Sequence, residues 1–196
     1  MKILGLTGSI GMGKSTAAAM LRRMGVPVHD ADATVHRLLG PGGDAVAAVE
    51  AAFPGVTAHG AIDRAELGRQ VFGDPARLRR LERILHPLVR RAETQFLKTW
   101  RRRRARLVVL DIPLLYETHG EKRCDRVAVV TCPAFLQAQR VLRRPGQSPA
   151  RLAAIRAQQM PDPAKRRRAD IIIPTGTGRG PAWRKLMTLV KEMRGA

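Results

Sequence analysis

Gly8-Ser9-Ile10-Gly11-Met12-Gly13-Lys14-Ser15 decides how this chain is read, because it matches the spacing G-x-x-x-x-G-K-[ST]. Met1 to Thr7 runs into it as a short buried strand, apolar on both faces. Ser15 to Met24, rich in Ala, Leu and Met and closed by Gly25, leaves it as a helix. Glycines in such a loop let the backbone curl until successive N–H groups point inward at phosphate oxygens, and the helix N-terminus adds its dipole. The run from Gly8 to Thr16 is therefore expected to grip the phosphates of ATP. Lys14 should reach the β- and γ-phosphates, and the Ser15 hydroxyl should ligate Mg²⁺.

Outward from the loop, strands and helices alternate. Val26 to His29 reads as a second strand, Arg106 to Asp111 as a third, Arg126 to Thr131 as a fourth and Ala169 to Ile173 as a fifth. Apolar, β-branched runs of this kind fit a parallel sheet covered on both faces, so the expected fold is a doubly wound α/β domain of the P-loop kinase type with a five-stranded parallel sheet. Helices are expected at 31–39, from the Asp74-Pro75 cap onward, and from Pro181 to Met193. Residues 60–104 are helical in pattern with no strand, too long for a simple crossover, and read as an inserted substrate-binding subdomain. Residues 133–165 read as two helices around the turn formers Arg144-Pro145-Gly146-Gln147-Ser148-Pro149, a segment suited to a lid. That leaves about 1–59, 105–132 and 166–196 as the core of one domain.

Three acids stand where chemistry would need them. Asp111 ends a strand, the place of a carboxylate that holds Mg²⁺ through water, although an acid there also caps turns. Asp30 and Asp32 follow the second strand at the sheet's carboxyl edge, where open α/β sheets bind ligands. A carboxylate so placed can take the proton of an attacking hydroxyl. Asp32 is the favoured base or orienter with Asp30 in support; the pair also suits a helix cap.

The 196 residues contain 44% hydrophobic and only 4% aromatic side chains, so aliphatic residues must fill the core. Thirty-six Lys and Arg against 16 Asp and Glu give a formal net charge of +20, a field that attracts polyanions or phosphorylated small molecules. The densest runs, Arg101 to Arg104 and Arg166 to Arg168, read first as solvated basic faces. No recognised nucleic-acid module and no interleaved aromatics accompany them, so no specific nucleic acid is expected. With no apolar run of membrane length, no signal-peptide pattern, and Cys124 and Cys132 outside any disulfide framework, the expectation is a cytoplasmic protein, monomeric or weakly self-associating.

Taken together these segments resemble the dephospho-coenzyme A kinase family over nearly the whole chain. The resemblance is carried by Leu4 to Thr16, by Asp30-Ala31-Asp32, by His86-Pro87 and by Asp111-Ile112-Pro113-Leu114-Leu115-Tyr116-Glu117. It is carried further by Gln137, Arg140 and Arg144, by Gln159-Met160-Pro161 and by Arg168-Ala169-Asp170. It implies phosphorylation of the ribose 3′-hydroxyl of dephospho-coenzyme A. It also implies that Arg140 and Arg144 clamp the ATP phosphates, Arg140 in a catalytic role, while His86, Pro113, Leu114 and Glu117 face the acceptor. Three positions depart from the family pattern: Pro145 stands where an acid often follows the second lid arginine, Ile155-Arg156 reverses an Arg-Ile order, and Pro174-Thr175-Gly176 replaces a segment that favours Asn near the adenine. The rival readings are another small P-loop nucleoside or nucleotide kinase and, from the charge, a nucleic-acid-binding P-loop ATPase. A GTPase is disfavoured because no Asn-Lys-x-Asp motif is present.

Overall fold

The computed structural model describes residues 1–195. In chain order its first elements are β1 (Lys2–Thr7), α1 (Lys14–Arg23), β2 (Val28–Asp30), α2 (Ala31–Leu39), α3 (Val46–Ala52), β3 (Thr57–Ala58), β4 (Ala61–Ile62), α4 (Arg64–Val71) and α5 (Pro75–Arg102). They are followed by β5 (Leu107–Asp111), β6 (Arg126–Thr131), α6 (Ala134–Leu142), α7 (Pro149–Ala157), α8 (Asp162–Arg168), β7 (Ile171–Pro174) and α9 (Arg179–Arg194). Two compact units emerge, one combining Met1–His29 with the chain from Thr99 onward, the other spanning Asp30–Lys98.

The five long-range strands form one parallel sheet in the order β2-β5-β1-β6-β7, as the apolar runs imply. Every residue of β5 and the last four of β1 are buried, the signature of strands covered on both faces. Leu4, Leu6, Leu21, Val109, Leu186 and Leu189 pack together on one face, and Leu115, Tyr116, Val127 and Val129 on the other. Register then fixes the chemistry: Leu6 lies beside Asp111 and Thr7 beside Val129, so Thr7, Asp111 and Thr131 all come to the carboxyl edge of the sheet.

The unit Asp30–Lys98 has its own core, built on Leu38, Val49, Phe53, Leu67, Leu81 and Leu85. Asp30, Asp63 and Asp74 each accept N–H bonds from the first turn of the following helix. Expectation and structure part company in two places. Residues 60–104 do contain a strand, because His59 and Gly60 both adopt left-handed φ angles (52° and 75°) and turn Thr57–Ala58 back on Ala61–Ile62 as a two-residue hairpin. His86 lies with Pro87 inside the 28-residue α5, where the proline withholds one backbone donor. Residues 133–165 run into a third helix, α8, whose first residue Asp162 accepts a 2.9 Å bond from the Thr131 hydroxyl.

Tyr116 is the only tyrosine and is 2% exposed; its hydroxyl finds no partner among the described residues. Burial, helped by the charges of Asp170 and Glu121, pushes its pKa from 10.0 up to about 12. Below pH 10 both folded and unfolded chains keep the proton, so the contribution to stability is intact. As pH climbs from 10 towards 12 the unfolded tyrosine ionises first and that contribution is lost. Phenolate absorbance should therefore titrate as a single step near pH 12 in native protein and near 10 in denaturant; a native midpoint at 10 contradicts the burial.

Candidate active site

β1 delivers the chain into the phosphate loop at Gly8. A Cβ there would lie 2.7 Å from the Val130 carbonyl oxygen, so the exit from β1 can run against β6 only as glycine. Gly13, at φ 92°, caps α1 with no side-chain hydrogen bond. The N–H groups of Lys14, Ser15 and Thr16 in the first turn have no intrahelical acceptor, and the Ser15 and Thr16 side chains are exposed. A positive helix end with unspent donors is an anion seat.

Lys14 and Asp111 meet at this seat. The Lys14 Nζ donates to Asp111 Oδ1 at 2.7 Å, with the carboxylate side chain 2% exposed. The β1–β5 register brings them together, since Asp111 pairs with Leu6 just before the loop. Beneath the loop, the Thr175 hydroxyl donates to the Met12 carbonyl at 2.6 Å, and Arg140 donates to the Thr175 hydroxyl and carbonyl oxygens at 3.2 and 2.8 Å. Gly176 follows because an added Cβ would strike Pro133 Cδ at 2.7 Å. Two of the residues that replace the family's usual segment after the last strand are thus committed to the loop's wall. Burial pushes the pKa of the neighbouring Cys132 thiol up.

The arm from α6 to α8 grips the loop from above. Ile10 donates its N–H to Gln159 Oε1 at 3.1 Å and accepts at its carbonyl from Gln137 Nε2 at 2.7 Å, while Arg156 donates to Gln137 Oε1. One residue beyond Gln159, the Met160 N–H donates to Glu117 Oε1 at 2.8 Å. The same oxygen accepts from the fully buried Lys165 Nζ at 2.9 Å. Glu117 is therefore fastened to the arm through Oε1. Arg144 lies exposed just past α6, and Leu114 is 36% exposed beside Pro113, whose carbonyl accepts from Thr7.

Asp30, Asp32 and His86 belong to the unit Asp30–Lys98. Asp30 spends a carboxylate oxygen on the Ala33 N–H at 3.0 Å, whereas Asp32 in the first turn of α2 is exposed. Sequence reading had no signal for Thr175 as a loop wall or for Lys165 as a buried cation. A threonine amid glycines and a lysine heading an arginine run both look like surface. A groove of about 640 Å³ between α1 and α9 is lined by Thr16, Met20, Arg23, Arg179, Trp183 and Arg184, among others.

The family model for dephospho-CoA kinase matches residues 2–178. The chain belongs to the dephospho-CoA kinase family. Among curated relatives, the dephospho-CoA kinase of Paramagnetospirillum magneticum is 74% identical over 166 residues, 85% of this chain and 78% of that protein. The dephospho-CoA kinase of Rhodospirillum rubrum is 64% identical over 94% of this chain and 88% of its own length. A crystal structure from Thermus thermophilus superposes with a TM-score of 0.85 at 38% identity, over 97% of this chain and 96% of that one. The dephospho-CoA kinase of Campylobacter jejuni, at 22% identity and a TM-score of 0.68, shares the fold over all of this chain and 98% of its own.

Proposed function

We propose that the chain transfers the γ-phosphoryl group of ATP to the ribose 3′-hydroxyl of dephospho-CoA, yielding CoA and ADP. The observation that carries this reading is Lys14 held on Asp111 at 2.7 Å beside the uncapped start of α1. That arrangement puts a cation, N–H donors without intrahelical acceptors and a carboxylate together at the start of one helix. Ser15 and Asp111 offer hard oxygen donors of the type Mg²⁺ accepts, and the ion would neutralise charge on the β- and γ-oxygens when bound.

Lys14 draws charge from the γ-phosphoryl as it leaves, and the first-turn N–H groups of α1 hold the β-phosphate in place. Arg140, already fixed on Thr175, and Arg144 at the turn after α6 close on the spread negative charge. Asp32 accepts the proton of the attacking hydroxyl, a role open to it because Asp30 rather than Asp32 serves as the α2 cap. Pro113 and Leu114 border the acceptor. The groove beside Trp183 and Arg179 has the size for the nucleoside end of ATP and guanidinium groups for its phosphates. No helix among the described residues is long and apolar enough to cross a membrane. Neither Cys124 nor Cys132 is in a disulfide, which fits a reducing cytoplasm.

The direct test is ADP release coupled to NADH oxidation, with dephospho-CoA offered beside AMP, CMP and adenosine. Turnover is expected with dephospho-CoA and at background with the others. Turnover confined to the nucleotides or nucleoside overturns the assignment.

A further inference from the structure

Lys165 is the largest side chain sealed completely from solvent, although it heads a run of three exposed arginines. Burying an ammonium group is costly unless partners compensate, and such a pair is as a rule no more stabilising than a hydrophobic replacement. Its retention therefore calls for a geometric reason. The Nζ has two partners: Glu117 Oε1 at 2.9 Å and the Pro113 carbonyl oxygen at 3.3 Å. Those residues begin and end the stretch from Pro113 to Glu117, and Thr7, the last residue before the phosphate loop, also donates to the Pro113 carbonyl at 2.9 Å.

Glu117 Oε1 receives a second bond from the Met160 N–H, while Oε2 is buried with no partner among the described residues. The carboxylate thus faces two donors on one oxygen, and the position of Met160 follows from Lys165. Gln159, directly before it, carries its amide oxygen to the Ile10 N–H in the middle of the phosphate loop. Two consecutive residues are therefore fastened to different walls, Gln159 to the loop that takes ATP and Met160 to the stretch assigned above to the acceptor.

We propose that Lys165 is a positioning residue which, through Glu117, makes Gln159-Met160 a splice between the ATP and acceptor loops, so that occupancy of one loop sets the affinity of the other. Movement of Ile10 on phosphate binding displaces Gln159, and the Met160 bond passes that displacement to Glu117 and Pro113. The splice rests on the function proposed above, since it needs dephospho-CoA as the acceptor.

The test is the Kd of dephospho-CoA by calorimetry, with and without a saturating non-hydrolysable ATP analogue. It is run on the full-length chain, on Gln159→Ala, and on the paired variant Lys165→Met with Glu117→Gln, which removes both charges together. The unmodified chain should bind dephospho-CoA at least about fivefold more tightly with the analogue present, the low end of ordinary coupling. Both variants should bring that ratio to about one, and kcat should fall with it; a merely structural loss lowers the melting temperature and leaves the ratio intact. A ratio preserved in Gln159→Ala, whose half-buried side chain can be removed without disturbing the core, overturns the splice even if the paired variant does not fold. An unmodified chain that binds dephospho-CoA equally well with and without the analogue overturns the splice alone. One that does not bind dephospho-CoA overturns the proposed function and the splice with it.

Discussion

Lys14→Ala lowers kcat/KM for dephospho-CoA phosphorylation by at least about 10²–10³-fold, the loss that follows removal of one fixed charge-stabilising donor from a transition state. The effect should be larger on kcat than on the KM for ATP. Backbone N–H groups of α1 still hold the phosphates, whereas the cation is needed most when negative charge spreads over the transferring group. A second consequence separates this residue from a general structural one. Asp111 is 2% exposed and is held by Lys14 at 2.7 Å, so the variant also takes that cation away from a buried carboxylate. Lys14→Ala combined with Asp111→Asn should therefore regain melting temperature without regaining rate. Recovery of rate in the double variant contradicts the role given to Lys14, and so does Lys14→Ala activity within tenfold of the unmodified chain. Steady-state kinetics and thermal unfolding on the same preparations decide it.

Asp32→Asn is expected to cost about 10²–10⁴-fold in kcat, the range for removing a general base. Its melting temperature should hardly move, since the side chain is exposed and Asp30 provides the α2 cap. Asp30→Ala should show the opposite balance: a loss of about 1 kcal/mol in stability from the missing cap, with a smaller effect on rate. If both variants lose the same rate, the proton goes elsewhere.

The sheet was legible because its signals are local and redundant. Apolar runs of four to seven residues have few alternatives in a chain of this hydrophobic content, and each resurfaced within two residues of its expected position. The phosphate loop was legible for a different reason: its glycines answer to backbone contacts such as the one with the Val130 carbonyl, which no other residue satisfies. What stayed hidden depends on partners far along the chain. Nothing local to Glu117 announced that Met160 and Lys165, 43 and 48 residues later, would share one of its oxygens. Thr175 looked like part of an altered base site, yet its hydroxyl is buried against Met12, 163 residues earlier. Lys165 was masked by the arginines that follow it, since composition cannot say which member of a basic run turns inward. The 57–62 hairpin escaped because its turn is made by His59, whose left-handed conformation no periodicity announces.

The missing cap of α1 carries one more consequence. A Ser, Asp or Asn in place of Gly13 is the ordinary way to finish a helix and gains about 1 kcal/mol. Here the φ of 92° and the approach to Thr175 bar such residues, and a side-chain cap would in any case occupy the seat of the incoming anion. On the function proposed above, a bound nucleotide completes the helix. Folding and turnover draw on the same few N–H groups, so the cell's supply of ATP becomes a term in the protein's own persistence: at a hundred times its Kd a ligand adds about 2.7 kcal/mol to the folded state. A chain starved of nucleotide loses its substrate and a share of its resistance to unfolding together.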